Sequence, residues 1–223
     1  MLSYCLYIKN LKQNQVAWAL VVNSGATALE YATAGSSDFV LLATTDASSS
    51  ASVSFDGYFS STYKNYKVIV SSAINATNQQ NWQMRFRRSN ADVTASSYSY
   101  AGGGWYQSST PDNNVTQING YNQSSFNIAA TANNNSGYTI CNDITIFDPL
   151  GTNNYKQYVA TSLSIYNNGT IYYYTIPSAG ALTNALTAIS GVTFFFSSGN
   201  ITSGNFKLYG IKWKRLLIIL NTI

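Results

Sequence analysis

After Ser37 apolar and polar residues alternate almost one by one. "YKVIVSS" (66–72) sets Tyr66, Val68 and Val70 against Lys67, Ile69 and Ser71. "NWQMRFRRSN" (81–90) sets Trp82, Met84 and Phe86 against Gln83, Arg85 and Arg87. A period of two is what a strand with one buried face requires, because successive side chains point to opposite sides. One wet face is the mark of an antiparallel sheet. "DFVLLA" (38–43) is a short apolar run, and the same alternation predicts strands in "ASVSFDGYF" (51–59), "SSFNIAA" (124–130) and "TICNDITIF" (139–147). It continues in "YKQYVATSLSIY" (155–166), "TIYYYTI" (170–176), "AISGVTFFFSS" (188–198) and "NFKLYGIK" (205–212).

Between these runs lie "NNNSG", "DPLGTNN", "NNG" and "SSGNITSGN". Gly, Asn, Ser and Asp supply positive φ or side-chain-to-backbone hydrogen bonds, which turns use. Asn168-Gly169 predicts a two-residue type I′ hairpin. "AGGGWY" (101–106) reads as a mobile loop, and "GALTNALTAI" (180–189) as at most a short helical turn or a loop. The last strand puts Phe206, Leu208 and Gly210 on one face and Lys207, Tyr209 and Ile211 on the other. Gly210 there predicts a bulge or a close backbone approach. Many short strands with frequent turns predict an all-β fold: an antiparallel two-sheet β-sandwich, jelly-roll-like, over 37–212. Residues 1–36 are read as a leader or linker and 213–223 as a tail.

Composition agrees. Only 9% of the 223 residues are charged, against roughly 25% in an average domain, while 45% are hydrophobic and 14% aromatic. Asn, Ser, Thr and Gln replace the charge, a profile that suits an extracellular or particle-surface protein. Lys9, Lys12, Lys214 and Arg215 lie at the chain ends, and the remaining basic residues balance the eight acidic ones. No broad basic footprint for nucleic acid results. The N-terminal segment has a signal-like pattern in Lys9, Lys12 and Val16–Val22. Its polar stretch with Glu30 argues instead for a strand or linker. The apolar run Leu216–Leu220 is too short to span a bilayer. Cys5 and Cys141 are the two cysteines, and either free thiols or one long-range bridge fits them.

The chemistry on offer is sparse. With no histidine, Ser-His-Asp and Cys-His constellations are excluded, as are histidine zinc sites. No catalytic residue, metal site or cofactor is predicted. Asp143 and Asp148 are the nearest carboxylates in the later chain. Their odd spacing puts them on opposite faces of one strand, and Asp148-Pro149 reads as turn initiation. The ligand-binding candidates are aromatic and basic. Tyr98, Tyr100, Trp105 and Tyr106 flank the glycines, and flat rings with polar edges suit sugars. The plainer alternative for the tyrosines is a core or subunit contact. Arg85 and Arg87, with Arg88, suit an acidic glycan or phosphate, or else solvate a strand and pair with neighbouring carboxylates. Asn75, Asn114 and Asn168 head Asn-x-Ser/Thr sequons.

"WALVVNSGATALEYATAG" (18–35) resembles the short junction that precedes C-terminal β domains in many phage virion proteins. "FDGYFSSTYKNYKVIV", "WQMRFRRSN" and "SGNFKLYGIK" resemble segments of those domains in structural proteins of tailed, especially marine, bacteriophages. The resemblance spans most of 18–212. It implies a non-enzymatic sandwich in a tail fibre, head fibre or decoration protein at the virion surface. It further implies assembly with other virion proteins, a homo-oligomer such as a homotrimer, and contact with host-surface glycans in receptor binding. It carries over no catalytic residue. A secreted carbohydrate-binding, lectin-like module is the alternative.

Overall fold

A computed structural model describes residues 18–22, 29–33, 38–108, 114–132 and 134–212. Cys5, the segment up to residue 17 and the run Leu216–Leu220 lie outside the described residues. The chain divides into two compact units, 1–38 and 39–223. In the first, β1 (Trp18–Val22) and β2 (Leu29–Thr33) pair antiparallel, with Trp18 opposite Thr33 and Val22 opposite Leu29.

The second unit is an all-β, antiparallel sandwich of two unequal sheets. Its strands are β3 (Phe39–Ser50), β4 (Val53–Asp56), β5 (Asn65–Asn75), β6 (Gln80–Arg88) and β7 (Ala91–Asp92). They continue as β8 (Tyr98–Ser108), β9 (Asn114–Gln123), β10 (Phe126–Ala132) and β11 (Ile140–Phe147). The last four are β12 (Lys156–Asn167), β13 (Ile171–Leu182), β14 (Gly191–Phe196) and β15 (Ile201–Ile211). The larger sheet runs β3-β15-β5-β11-β12-β13-β8-β9; the smaller runs β10-β6-β14-β4, with β7 on β6.

The period-two reading sets the core. Trp82, Met84 and Phe86 of β6 are fully buried, as are Val68 of β5, Ile144 and Ile146 of β11, and Phe206 and Leu208 of β15. The Trp82 ring lies 6.0 Å from Phe194 and 6.1 Å from Phe206, so it bridges the sheets. Its Nε1–H donates to Asn142 Oδ1 at 2.8 Å. The Asn142 amide donates to Ser162 Oγ, and that hydroxyl donates to the Ile128 carbonyl. A buried polar chain therefore crosses from the small sheet to the large one and back. Buried polar groups are tolerated when hydrogen-bonded in this way.

Four local expectations need correction. "AGGGWY" is not a loop but the middle of β8. Two of its three glycines, Gly102 and Gly104, are required there because the adjoining strands crowd them. A Cβ on Gly104 would overlap the Thr175 carbonyl oxygen, and one on Gly102 would sit 2.7 Å from Ser178 Cβ. The β12–β13 hairpin closes at Asn167 opposite Ile171, leaving three residues in the loop. Only Gly169 there has positive φ (104°), whereas a type I′ turn needs two such residues. Ser203-Gly204-Asn205 lies inside β15 at register shifts against β5, not in a turn. Residues 180–182 finish β13 and so leave the stretch read as a helical turn or loop, while 183–190 are a loop, as one of those two readings had it. At Gly210 the crowding comes from a side chain, since a Cβ there would strike the Tyr63 ring, and the register against β3 shifts just before it, between Leu208 and Tyr209.

Candidate functional site

Side chains of the large sheet alternate between the core and an outer face, and the outer face carries most of the exposed apolar bulk. Phe39 and Leu41 (β3), Phe147 (β11), Val159 and Leu163 (β12), Tyr173 (β13), Trp105 (β8) and Val115 (β9) are all exposed there. The register lines them up across the strands. Val115 faces Trp105, Trp105 faces Thr175, and Thr175 faces Leu163. The two neighbouring rows hold small residues where they cross β8 and β13: Gly103 beside Pro177, and Ala101 beside Ala179. A shallow furrow results, lined by Ala101, Thr145, Val159, Thr161, Pro177 and Ala179. Charge on this face is slight. Lys67 and Asp143 pair with each other at 2.7 Å, and Lys67 also lies over the Phe39 ring.

The sequence-predicted residues scatter. Trp105 stands on the outer face and is 67% exposed. Tyr106, its chain neighbour, points to the opposite side of the sheet, as alternation demands. There its ring lies 5.8 Å from Tyr172 and 5.2 Å from Tyr174, and Tyr172 in turn lies 5.9 Å from Tyr166. Burial pushes the Tyr174 phenol up, reinforced by the neighbouring tyrosines. Tyr100 is half-buried against Phe126, with its ring over Gly120. Burial raises its phenol too.

Tyr98 is withdrawn as a ligand contact. It is fully buried; its hydroxyl donates to the Val93 carbonyl at 2.7 Å and accepts from the Phe86 N–H at 3.1 Å. Arg87 is withdrawn likewise. Its Nε donates to Asp56 at 2.6 Å, and its Nη1 donates to Asp92 at 2.5 Å and to Thr193 Oγ1 at 2.9 Å. Its Nη2 donates to the Asn90 carbonyl. Burial alone would lower the guanidinium's pKa, but the two carboxylates outweigh it and raise it. Arg85 lies flat over Phe195, 4.5 Å from the ring centre, and donates to the Ser124 carbonyl. It sits on the outer side of the small sheet, away from Trp105. Thus Trp105 alone of the six candidates belongs to the exposed apolar face.

Several other polar side chains among the described residues are engaged structurally. Asp143 pairs with Lys67 and Asp148 with Lys64, both at 2.7 Å. Lys156 is fully buried, and its ammonium donates to the carbonyls of Gly151 and Asn154. Asn75 is buried with its amide on the Thr77 carbonyl, which closes that sequon to a glycan. Among the described residues no three His, Cys, Asp or Glu side chains cluster to hold a metal. No helix among them is long and apolar enough to cross a membrane.

The outer apolar set escaped the sequence reading, although a signal existed. In "KQYVATSLSIY" the residues between the buried ones include Val159, Leu163 and Ile165, where a plainly solvated face would be polar. No protein-family model, no curated protein and no solved structure matches the chain.

Proposed function

We propose that this chain is a non-enzymatic structural protein of an extracellular particle, of the fibre, appendage or decoration type found on tailed phages. The observation that carries the reading is the use of its side chains. Arg87, Asp56, Asp92, Lys67 and Asp143 are spent on holding strands together, while large apolar side chains spread over one sheet face. Chemistry needs groups that converge in a pocket; docking between particle parts needs a broad rigid surface poor in charge. The low charged fraction and the motif resemblance across 18–212 point the same way. The test is peptide mass spectrometry on density-purified particles. Stoichiometric peptides from 38–212 are expected, and their copy number separates fibre from decoration. Peptides confined to the soluble secreted fraction would overturn the proposal.

Trp105 favours a second reading, a carbohydrate-binding module. Its indole is the most exposed large ring of β8, and such a face stacks on the C–H side of a sugar. On this reading Trp105→Ala abolishes retention on a glycan array without changing the melting temperature. Unchanged retention, or none in the parent protein, removes it.

A further inference from the structure

We infer that the outer face of the eight-stranded sheet is a self-association surface, where two copies of this chain pack sheet against sheet about a two-fold axis. Size argues first. Eight strands give seven spacings of about 4.8 Å, and four rows of outward residues span about 24 Å, so the face covers roughly 800 Å². That is about what each partner contributes to a stable protein interface, roughly 800 Å². Chemistry argues second. Interface centres are depleted in charge and enriched in aromatic residues. This face carries Trp105, Tyr173, Leu163, Val159 and Phe147, with the Lys67–Asp143 pair internally neutralised; Lys207 and Asp46, its other charges, lie toward the β15–β3 edge.

Shape argues third. A ridge formed by Val115, Trp105 and Leu163, with Tyr173 in the adjoining row, runs beside the furrow of Ala101, Pro177 and Ala179. One face bearing both a ridge and a furrow is self-complementary, because a two-fold axis lays each ridge into the other copy's furrow. Sheets that pack face to face keep strands within about 30° and sit about 10 Å apart, and side chains of this size fill that gap. A patch meeting itself closes at two copies. The state differs from the trimer that the phage resemblance implies, and it does not depend on the particle reading.

Sedimentation velocity of the full chain tests it. A dimer is expected. Leu163→Lys and Ala179→Arg should each weaken it at least about tenfold, with the circular dichroism spectrum preserved because both side chains face outward, and with the parent's melting temperature regained only at dilutions where both are monomeric. Leu186→Lys, in the irregular segment after β13, should leave the dimer intact. A monomer at about 100 µM, a trimer, or dimers that survive both face substitutions would overturn the inference.

Discussion

Gly103 and Gly104 are neighbours in one strand and identical in sequence, yet they meet different surroundings. A Cβ on Gly104 would overlap the Thr175 carbonyl of the adjoining strand, while one on Gly103 would find nothing nearer than Thr116 O at 3.8 Å. Gly104→Ala must push β8 from β13, and overpacking of this kind costs about 1–3 kcal/mol. Gly103→Ala removes freedom only from the unfolded chain and should be neutral or stabilising by about 0.5 kcal/mol. Thermal melts distinguish them, since about 1 kcal/mol moves the midpoint of a domain this size by about 2–4 °C. Equal shifts would contradict the packing. Tyr98→Phe tests the other buried contact. It leaves the Val93 carbonyl and the Phe86 N–H without the hydroxyl, and should lower stability by about 1–3 kcal/mol. None of this was visible in "AGGGWY", because a glycine's reason for being glycine here is the strand opposite, about seventy positions away.

Within the small sheet, Arg87 is the cross-tie. It reaches from β6 to Asp56 on β4, Asp92 on β7 and Thr193 on β14. The Asp56 carboxyl would be raised by burial alone. Hydrogen bonds from Arg87 and Ser190, together with the Arg87 charge, outweigh that and hold it below the ordinary value of 3.8. The unfolded chain therefore takes up this proton more readily than the folded one. The stabilisation is complete above the ordinary value and is lost as pH falls through the lower folded value. Asp56→Asn should melt below the parent protein near neutrality, and the two curves should converge as pH falls from about 5 to about 2. Parallel curves would remove Asp56 from the cross-tie. The alternation that announced β6 also placed Arg87 outside the core, so its strand and side were legible. Its partners were not, since Asp56 and Thr193 come beside it only through the β4-β14-β6 pairing. Trp105 and Tyr106 divide the same way. Period two separates their faces, but which face a second sheet covers is a property of the assembled sandwich.

At the scale of the molecule, the chain's last described strand is an interior one, next to the sheet's edge. β15 lies between β3 and β5, and β3 has no other partner in its sheet. Ile201, Phe206 and Leu208 are fully buried, each contributing about 1.5–3 kcal/mol. Their sum is comparable with the entire stability of an ordinary domain, about 5–15 kcal/mol. Losing β15 would also strip hydrogen-bond partners from one side of β5 and from all of β3, and would uncover Trp82 and Phe194, which pack on Phe206. A chain ended at Asn200 should therefore lack a cooperative melt and bind a hydrophobic dye, instead of behaving as a trimmed sandwich. The defect should be repairable, because the missing piece is one strand with a fixed register, Phe206 opposite Val70 on one side and Thr45 on the other. Adding a peptide of residues 201–212 should restore the near-ultraviolet dichroism and the melt. The same peptide with Phe206→Asp and Leu208→Asp should not, since it would place two charges in the core, one of them against Trp82. A truncated chain that melts cooperatively unaided would show that the sandwich closes without β15, and would move the centre of its stability to the β11–β13 half of the sheet.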